Sequence, residues 1–245
     1  MSTPRFYCPC TLPDSGLFEL PAEAAHHALR VLRLRAGDRV QLFDGAGAAC
    51  DARIQAAQGK HITVQVLGSV PGISASALEI VLAQAMTSSD KMDWIVQKAV
   101  ELGAAAIQPV QTRYSVAKLT PERAEKRSEH WRGVVIAACE QSGRNSLMAV
   151  QPLRELSHWL AEERSLSGSK FVLHPEGSTA LHLQPVPAGR VVLLIGPEGG
   201  LAPDEIQMAK QAGFNAILLG PRILRTETAA LAGLSALQTL WGEFL

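Results

Sequence analysis

Three short segments in the C-terminal third carry residue types from which a binding pocket can be built. They read Leu173-His174-Pro175-Glu176, Ile195-Gly196-Pro197-Glu198-Gly199-Gly200 and Leu219-Gly220-Pro221-Arg222, each closing an apolar run. Glycine lets a ligand approach the backbone closely, and proline stiffens the loop. In an open α/β sheet, ligands bind just beyond the carboxyl ends of the strands. Three rigid loops at one edge therefore predict a preformed pocket for a flat small molecule that the backbone can hydrogen-bond. A single such dipeptide would mark only a strand-ending turn; the threefold recurrence argues for a site. Neither G-x-G-x-x-G after a strand nor G-x-x-x-x-G-K-[ST] occurs, so no dinucleotide or triphosphate cradle is indicated. Glu198 stands where a pyrophosphate would want bare N–H groups. A ligand without phosphate, even a cationic one, fits better.

Those loops need a scaffold, and the pattern from Leu78 onward supplies one. Strands are expected at Leu78–Ala83, Ala106–Val110, Phe171–Leu173, Val191–Ile195 and Ala216–Leu219. Helices are expected between them. Ser88-Ser89-Asp90 caps one running to Leu102, with Gly103 at its C-terminal cap, and Thr120-Pro121-Glu122 opens a long one. Trp131, Val134, Val135, Ala138 and Cys139 share a face of that long helix. Further helices fall near Leu156–Glu163, Asp204–Ala212 and Thr228–Trp241. The alternation predicts a mostly parallel sheet covered by helices.

Residues 1 to 72 read differently, as a small β-rich unit. Arg39–Phe43 alternates as a half-buried strand and runs through the turn Asp44-Gly45-Ala46-Gly47 into a strand around Cys50–Ile54; His61–Leu67 is a third. A short helix is expected near Pro21–Leu32. Several short strands in so little chain suggest a compact barrel. Gly68–Ser74 reads as a linker, giving domains 1–72 and 73–245.

Composition excludes some classes. The chain has 23 basic and 23 acidic side chains, so bulk charge does not argue for a polyanion, and any such case rests on local clusters. No apolar run is long enough to cross a bilayer and the N-terminus lacks a secretory stretch, so a cytoplasmic protein with no membrane partner is expected. Of the cysteines Cys8, Cys10, Cys50 and Cys139, only the first two are close, at a spacing that does not suit zinc. Free thiols and no metal are expected.

Taken together, Ile195–Gly200 and Leu218-Leu219-Gly220-Pro221-Arg222-Ile223-Leu224-Arg225-Thr226-Glu227-Thr228-Ala229 closely resemble the 16S rRNA (uracil-N3)-methyltransferase family, within the SPOUT superfamily. Lys91-Met92-Asp93-Trp94 with Lys98 and Glu101-Leu102-Gly103, Glu140-Gln141-Ser142-Gly143-Arg144, and His26-His27-Ala28-Leu29-Arg30-Val31-Leu32-Arg33 also match. The resemblance implies a C-terminal α/β domain with a trefoil knot, preceded by a PUA-like β-barrel that helps bind RNA. It implies a homodimer with each active site near the subunit interface, and 16S rRNA or the small ribosomal subunit as partner. It also names the ligand, S-adenosylmethionine, whose sulfonium and adenine meet the description above, although the loops alone do not single it out.

Methylating uracil at N3 needs the imide proton removed and the nitrogen aimed at the methyl carbon. The groups expected to remove that proton or stabilise the anion are Arg225, Glu140, Arg144 and Glu227. Glu227 reads equally well as an acid complementing a helix dipole. Cofactor contacts are expected from His174, Gly196, Pro197, Glu198, Gly199, Leu219, Gly220, Leu224, Thr228 and Ala229. For the RNA, the run Arg30, Arg33 and Arg35, which has less local compensation, is expected with His26 to meet phosphates. Arg123, Lys126, Arg127 and Arg132 are interleaved with Glu122, Glu125 and Glu129, as on a solvated helix face. Alternatives within the class are another RNA or another atom, such as a ribose 2′-hydroxyl. Outside it stands an RNA-binding assembly factor without catalysis.

Overall fold

The computed structural model describes residues 3–71, 78–175 and 179–244. The chain forms two compact units, one of residues 1–75 with 136–147, the other of 76–135 with 148–245.

In the first unit, β1 (Arg5–Tyr7), β2 (Gly16–Glu19), β3 (Arg39–Phe43), β4 (Ala49–Gln58) and β5 (His61–Val70) form one sheet in the order β1-β3-β4-β5-β2. β1 runs parallel to β3, and the other pairs are antiparallel. The β3–β4 turn closes as expected: Asp44 Oδ1 accepts the N–H groups of Ala46 and Ala48 at 2.8 and 3.0 Å. Alternation puts Val40, Leu42, Ile54, Ile62, Val64 and Val66 into a core with Phe6, Leu20 and Ala24. The helix α1 (Ala22–His26) passes into a π turn at His27–Val31, where an unbroken helix to Leu32 was expected. β1 and β2 are too short to show a period in the sequence. β5 extends through Val70, so Gly68–Val70 belong to a strand rather than a linker; Gly72, Ile73 and Ser74 lie outside the described residues.

The second unit contains β6 (Glu79–Ala85), α2 (Ser89–Glu101), β7 (Ala106–Gln111), α3 (Pro121–Ser142), β8 (Ala149–Val150), β9 (Arg154–Glu155), α4 (Leu156–Glu163), β10 (Ser169–Leu173), β11 (Thr179–Ala180), β12 (Arg190–Ile195), α5 (Pro203–Gln211), β13 (Asn215–Leu218) and α6 (Thr226–Trp241). The last turns of α3 belong to the first unit. The sheet runs β11-β13-β10-β12-β6-β7-β8, with β9 also on β7, and every described pair is parallel. Val81, Ala83, Val172, Val192 and Leu194 face α4 and α5. Opposite them Gly233 of α6 lies so close to Leu193 and Leu173 that a Cβ would stand 2.6 Å from Leu193 Cδ2. Both faces are thus covered, which is why Ile80–Ala83 of β6 and Val191–Ile195 of β12 read as continuous apolar runs. Parallel pairing brings the carboxyl ends of all these strands to one edge.

Candidate functional site

That edge holds a cavity of about 510 Å³. Its wall takes Leu173, His174 and Pro175 from the end of β10, Ile195 through Leu201 from the end of β12, and Ile223 to Thr226 with Ala229 from the start of α6. A smaller adjoining cavity of about 80 Å³ adds Leu218, Leu219, Gly220 and Arg222 after β13. The three proline-bearing segments therefore converge, except that Glu176 lies outside the described residues. Gly220 has φ +130°, a conformation that L side chains rarely adopt. A Cβ on Gly196 would meet the Gly200 carbonyl carbon and Leu201 at 3.2 Å, so this loop folds tightly on itself.

Buried polar groups fix the loop. Thr226 Oγ1 donates to the Gly196 carbonyl at 2.6 Å and accepts from Gln84 Nε2 at 3.0 Å, tying α6 to the ends of β12 and β6. Glu198 accepts a hydrogen bond from the Thr87 hydroxyl and pairs with Lys91 at 3.0 Å. Lys91 pairs also with Glu227, at 3.2 Å. Burial pushes the Glu198 carboxyl up, but Thr87 and Lys91 outweigh it and hold it below the usual carboxylate range. The hydrogen bond from Lys91 to Glu198 raises the ammonium in turn, more than burial lowers it. Both groups are therefore charged near neutral pH. Lys91, Thr87, Gln84 and Thr226 were not singled out in the sequence for a role. Lys91 and Thr226 had only their places in matching stretches, and Thr87 and Gln84 carry no signal until the strand ends are juxtaposed.

Of the expected residues, His174, Gly196, Pro197, Glu198, Gly199, Leu224, Arg225 and Ala229 line the larger cavity, and Leu219 and Gly220 the smaller. Helix α6 starts two residues before the expected Thr228, so Thr226 rather than Thr228 contributes to the wall. Arg225 occupies the N-cap position, exposed; among the described residues its guanidinium makes no ion pair.

Glu140 and Arg144 lie in the first unit. Gly143, at φ +87°, turns the chain after α3 so that the Arg144 carbonyl and Asn145 Oδ1 receive the Arg5 guanidinium at 3.2 and 2.5 Å. Glu140 accepts the Tyr7 N–H at 3.2 Å and stands 3.7 Å from His27 Nδ1. Burial raises its carboxyl, against the lowering pull of Tyr7 N–H, His27 and Arg5. His26, Arg30, Arg33 and Arg35 are all exposed in this unit, His26 at the end of α1 and the arginines on and just after the π turn, with Arg33 at φ +54°.

A family model described as an RNA methyltransferase domain matches residues 74–238, and one described as an RNA methyltransferase PUA domain matches residues 20–67. The chain is 30% identical to ribosomal RNA small subunit methyltransferase E of Buchnera aphidicola over 98% of its length and 95% of the relative's. It is likewise 30% identical to the Bacillus subtilis protein of that name, over 92% and 91%. A crystal structure of ribosomal RNA small subunit methyltransferase E from Neisseria gonorrhoeae, bound to S-adenosylmethionine, superposes with a TM-score of 0.92 at 39% identity, covering all of both chains. A methyltransferase structure from Legionella pneumophila, in complex with the same cofactor, gives 0.94 at 36%, again over both whole chains.

Proposed function

This chain belongs to the ribosomal RNA small subunit methyltransferase E family, and we propose that it transfers a methyl group from S-adenosylmethionine to N3 of a uridine in 16S ribosomal RNA. The observation that carries the reading is the preformed cavity where the glycine-proline loops converge.

The residues present suit this cofactor. The wall offers apolar side chains and tightly folded glycine backbone for an adenine and ribose, and no phosphate cradle. Lys91 is held between Glu198 and Glu227, so its ammonium is paired at the wall rather than turned on an incoming sulfonium. When bound, the sulfonium supplies an activated methyl group. Backbone groups of Gly196, Gly199, Leu219 and Gly220, with Leu224 and Ala229, hold the flat part of the ligand, and His174 closes the β10 side. Arg225, free of a competing carboxylate among the described residues, stabilises the uracil anion. In the first unit Glu140, raised by burial beside His27, is the group suited to accept a proton, and Arg144, on the turn that follows, is a further cation for the uracil anion. The exposed His26, Arg30, Arg33 and Arg35 meet RNA phosphates.

The same reading carries a trefoil knot at the three loops, a homodimer, the small ribosomal subunit as partner and a cytoplasmic location. Among the described residues no helix is long and apolar enough to cross a membrane. Arg225→Ala tests the assignment. It should abolish methyl transfer while calorimetry still shows cofactor binding. Wild-type transfer in that variant removes Arg225 from the mechanism.

A further inference from the structure

We propose that Tyr114 is the stacking platform on which the target base lies when it is presented to the methyl donor. The inference rests on the proposed function and adds a substrate contact that neither the loops nor the charged candidates supply.

Three observations support it. The first is position. Tyr114 follows β7, whose carboxyl end shares an edge with those of β6 and β12 in the parallel sheet. Its side chain stands over Gly199 of the cavity-lining loop: a Cβ there would meet Tyr114 Cβ at 3.0 Å and Cγ at 3.5 Å. Gly199 lines the cavity and Tyr114 does not, so the ring lies outside the wall, clear of the space left for the cofactor.

The second is exposure. Tyr114 is 48% exposed, although a phenol ring beside a largely apolar cavity has much to gain from burial. A base drawn out of its RNA stack needs a π-face to replace the neighbours it leaves, and exposed tyrosines supply one.

The third is rigidity. Thr112 and Ser115 close the loop beneath the ring, with the Ser115 hydroxyl accepting the Thr112 N–H at 3.0 Å and meeting its hydroxyl at 2.9 Å. Glu205, almost wholly buried, then accepts the N–H of Arg113 through one oxygen and that of Ala202 through the other, both at 2.8 Å. One carboxylate thus locks the residue before Tyr114 to the segment that follows Gly199 and Gly200. Arg113 adds an ion pair with Asp204. Such a platform costs little further ordering when the base arrives.

The test uses the whole protein and small ribosomal subunits from cells lacking its gene. Tyr114→Ala should lower kcat/KM for the subunit by roughly 5- to 150-fold, the range for loss of one base-aromatic stack. Tyr114→Phe and Tyr114→Trp should restore most of it. S-adenosylmethionine affinity by calorimetry should be unchanged in all three. Subunit binding by Tyr114→Ala should weaken with no change in its salt dependence, because no phosphate contact is lost. Wild-type kcat/KM in Tyr114→Ala, or a Phe variant as impaired as the Ala variant, overturns the platform while leaving the methyltransferase reading intact. A wild-type enzyme that methylates no subunit overturns both.

Discussion

Replacing Thr226 with valine removes one hydroxyl at almost constant volume, and that hydroxyl joins three strand or helix ends. Thr226 is 4% exposed. Its Oγ1 donates to the Gly196 carbonyl at 2.6 Å and accepts from Gln84 Nε2 at 3.0 Å. Valine strands the carbonyl, at about 1–3 kcal/mol for an unsatisfied group. Gln84 loses less, because the same nitrogen still donates to the Ala85 carbonyl at 3.0 Å. We expect a total of about 2–3 kcal/mol, or a fall in the melting temperature of the C-terminal unit of roughly 5–10 °C. If half of that must be restored when the loop closes on its ligand, S-adenosylmethionine affinity drops about tenfold. Urea denaturation followed by the fluorescence of Trp159 and Trp241, with calorimetry on the folded variant, measures both. Thr226→Ser keeps the hydroxyl and should lose about 1 kcal/mol for the methyl group with cofactor affinity near wild type. A Thr226→Val protein within about 0.5 kcal/mol of wild type refutes the claim that this hydroxyl holds the loop.

Three other perturbations probe separate parts of the account. Glu198 sits below its usual pKa, so its contribution is complete above about pH 4.3 and is lost only as pH falls through its lower folded value; Lys91 sits above its own and contributes until pH climbs past about 10.4. Cofactor affinity that titrates with Glu198→Gln-sensitive behaviour between roughly pH 5 and 8 would contradict that network. Burial pushes the Cys8 thiol up to about 12, whereas Cys10 is exposed. Iodoacetamide at pH 8 should therefore label Cys10 and spare Cys8 in peptide mass spectra, and equal labelling would show that the N-terminal core opens readily. Arg30→Glu with Arg33→Glu should weaken subunit binding and flatten its salt dependence, leaving cofactor affinity untouched; an unchanged salt slope would move the RNA surface elsewhere.

The elements most legible in the sequence were those with a long period. The strands closing at Leu173 and Ile195 and the helix Leu156–Glu163 read correctly because a doubly covered sheet demands unbroken apolar runs between cap and turn signals. β1 and β2, of three and four residues, offered no period to count. The π turn at His27–Val31 adds a residue to a turn whose pattern still looks helical. The site was legible where chemistry is written in adjacent letters, as in Gly196-Pro197-Glu198-Gly199-Gly200. It was not legible where tertiary contact makes it: Lys91 becomes a bridge only when Glu198 and Glu227 meet it, and Tyr114 a platform only because Gly199 lies beneath its ring.

Nucleoside mass spectrometry of 16S rRNA, from cells lacking the gene and from the same cells complemented with wild-type or Arg225→Ala protein, tests the central claim most directly. The account predicts that 3-methyluridine disappears on deletion, returns with the wild type and stays absent with the variant. A 3-methyluridine level that deletion leaves unchanged would contradict it.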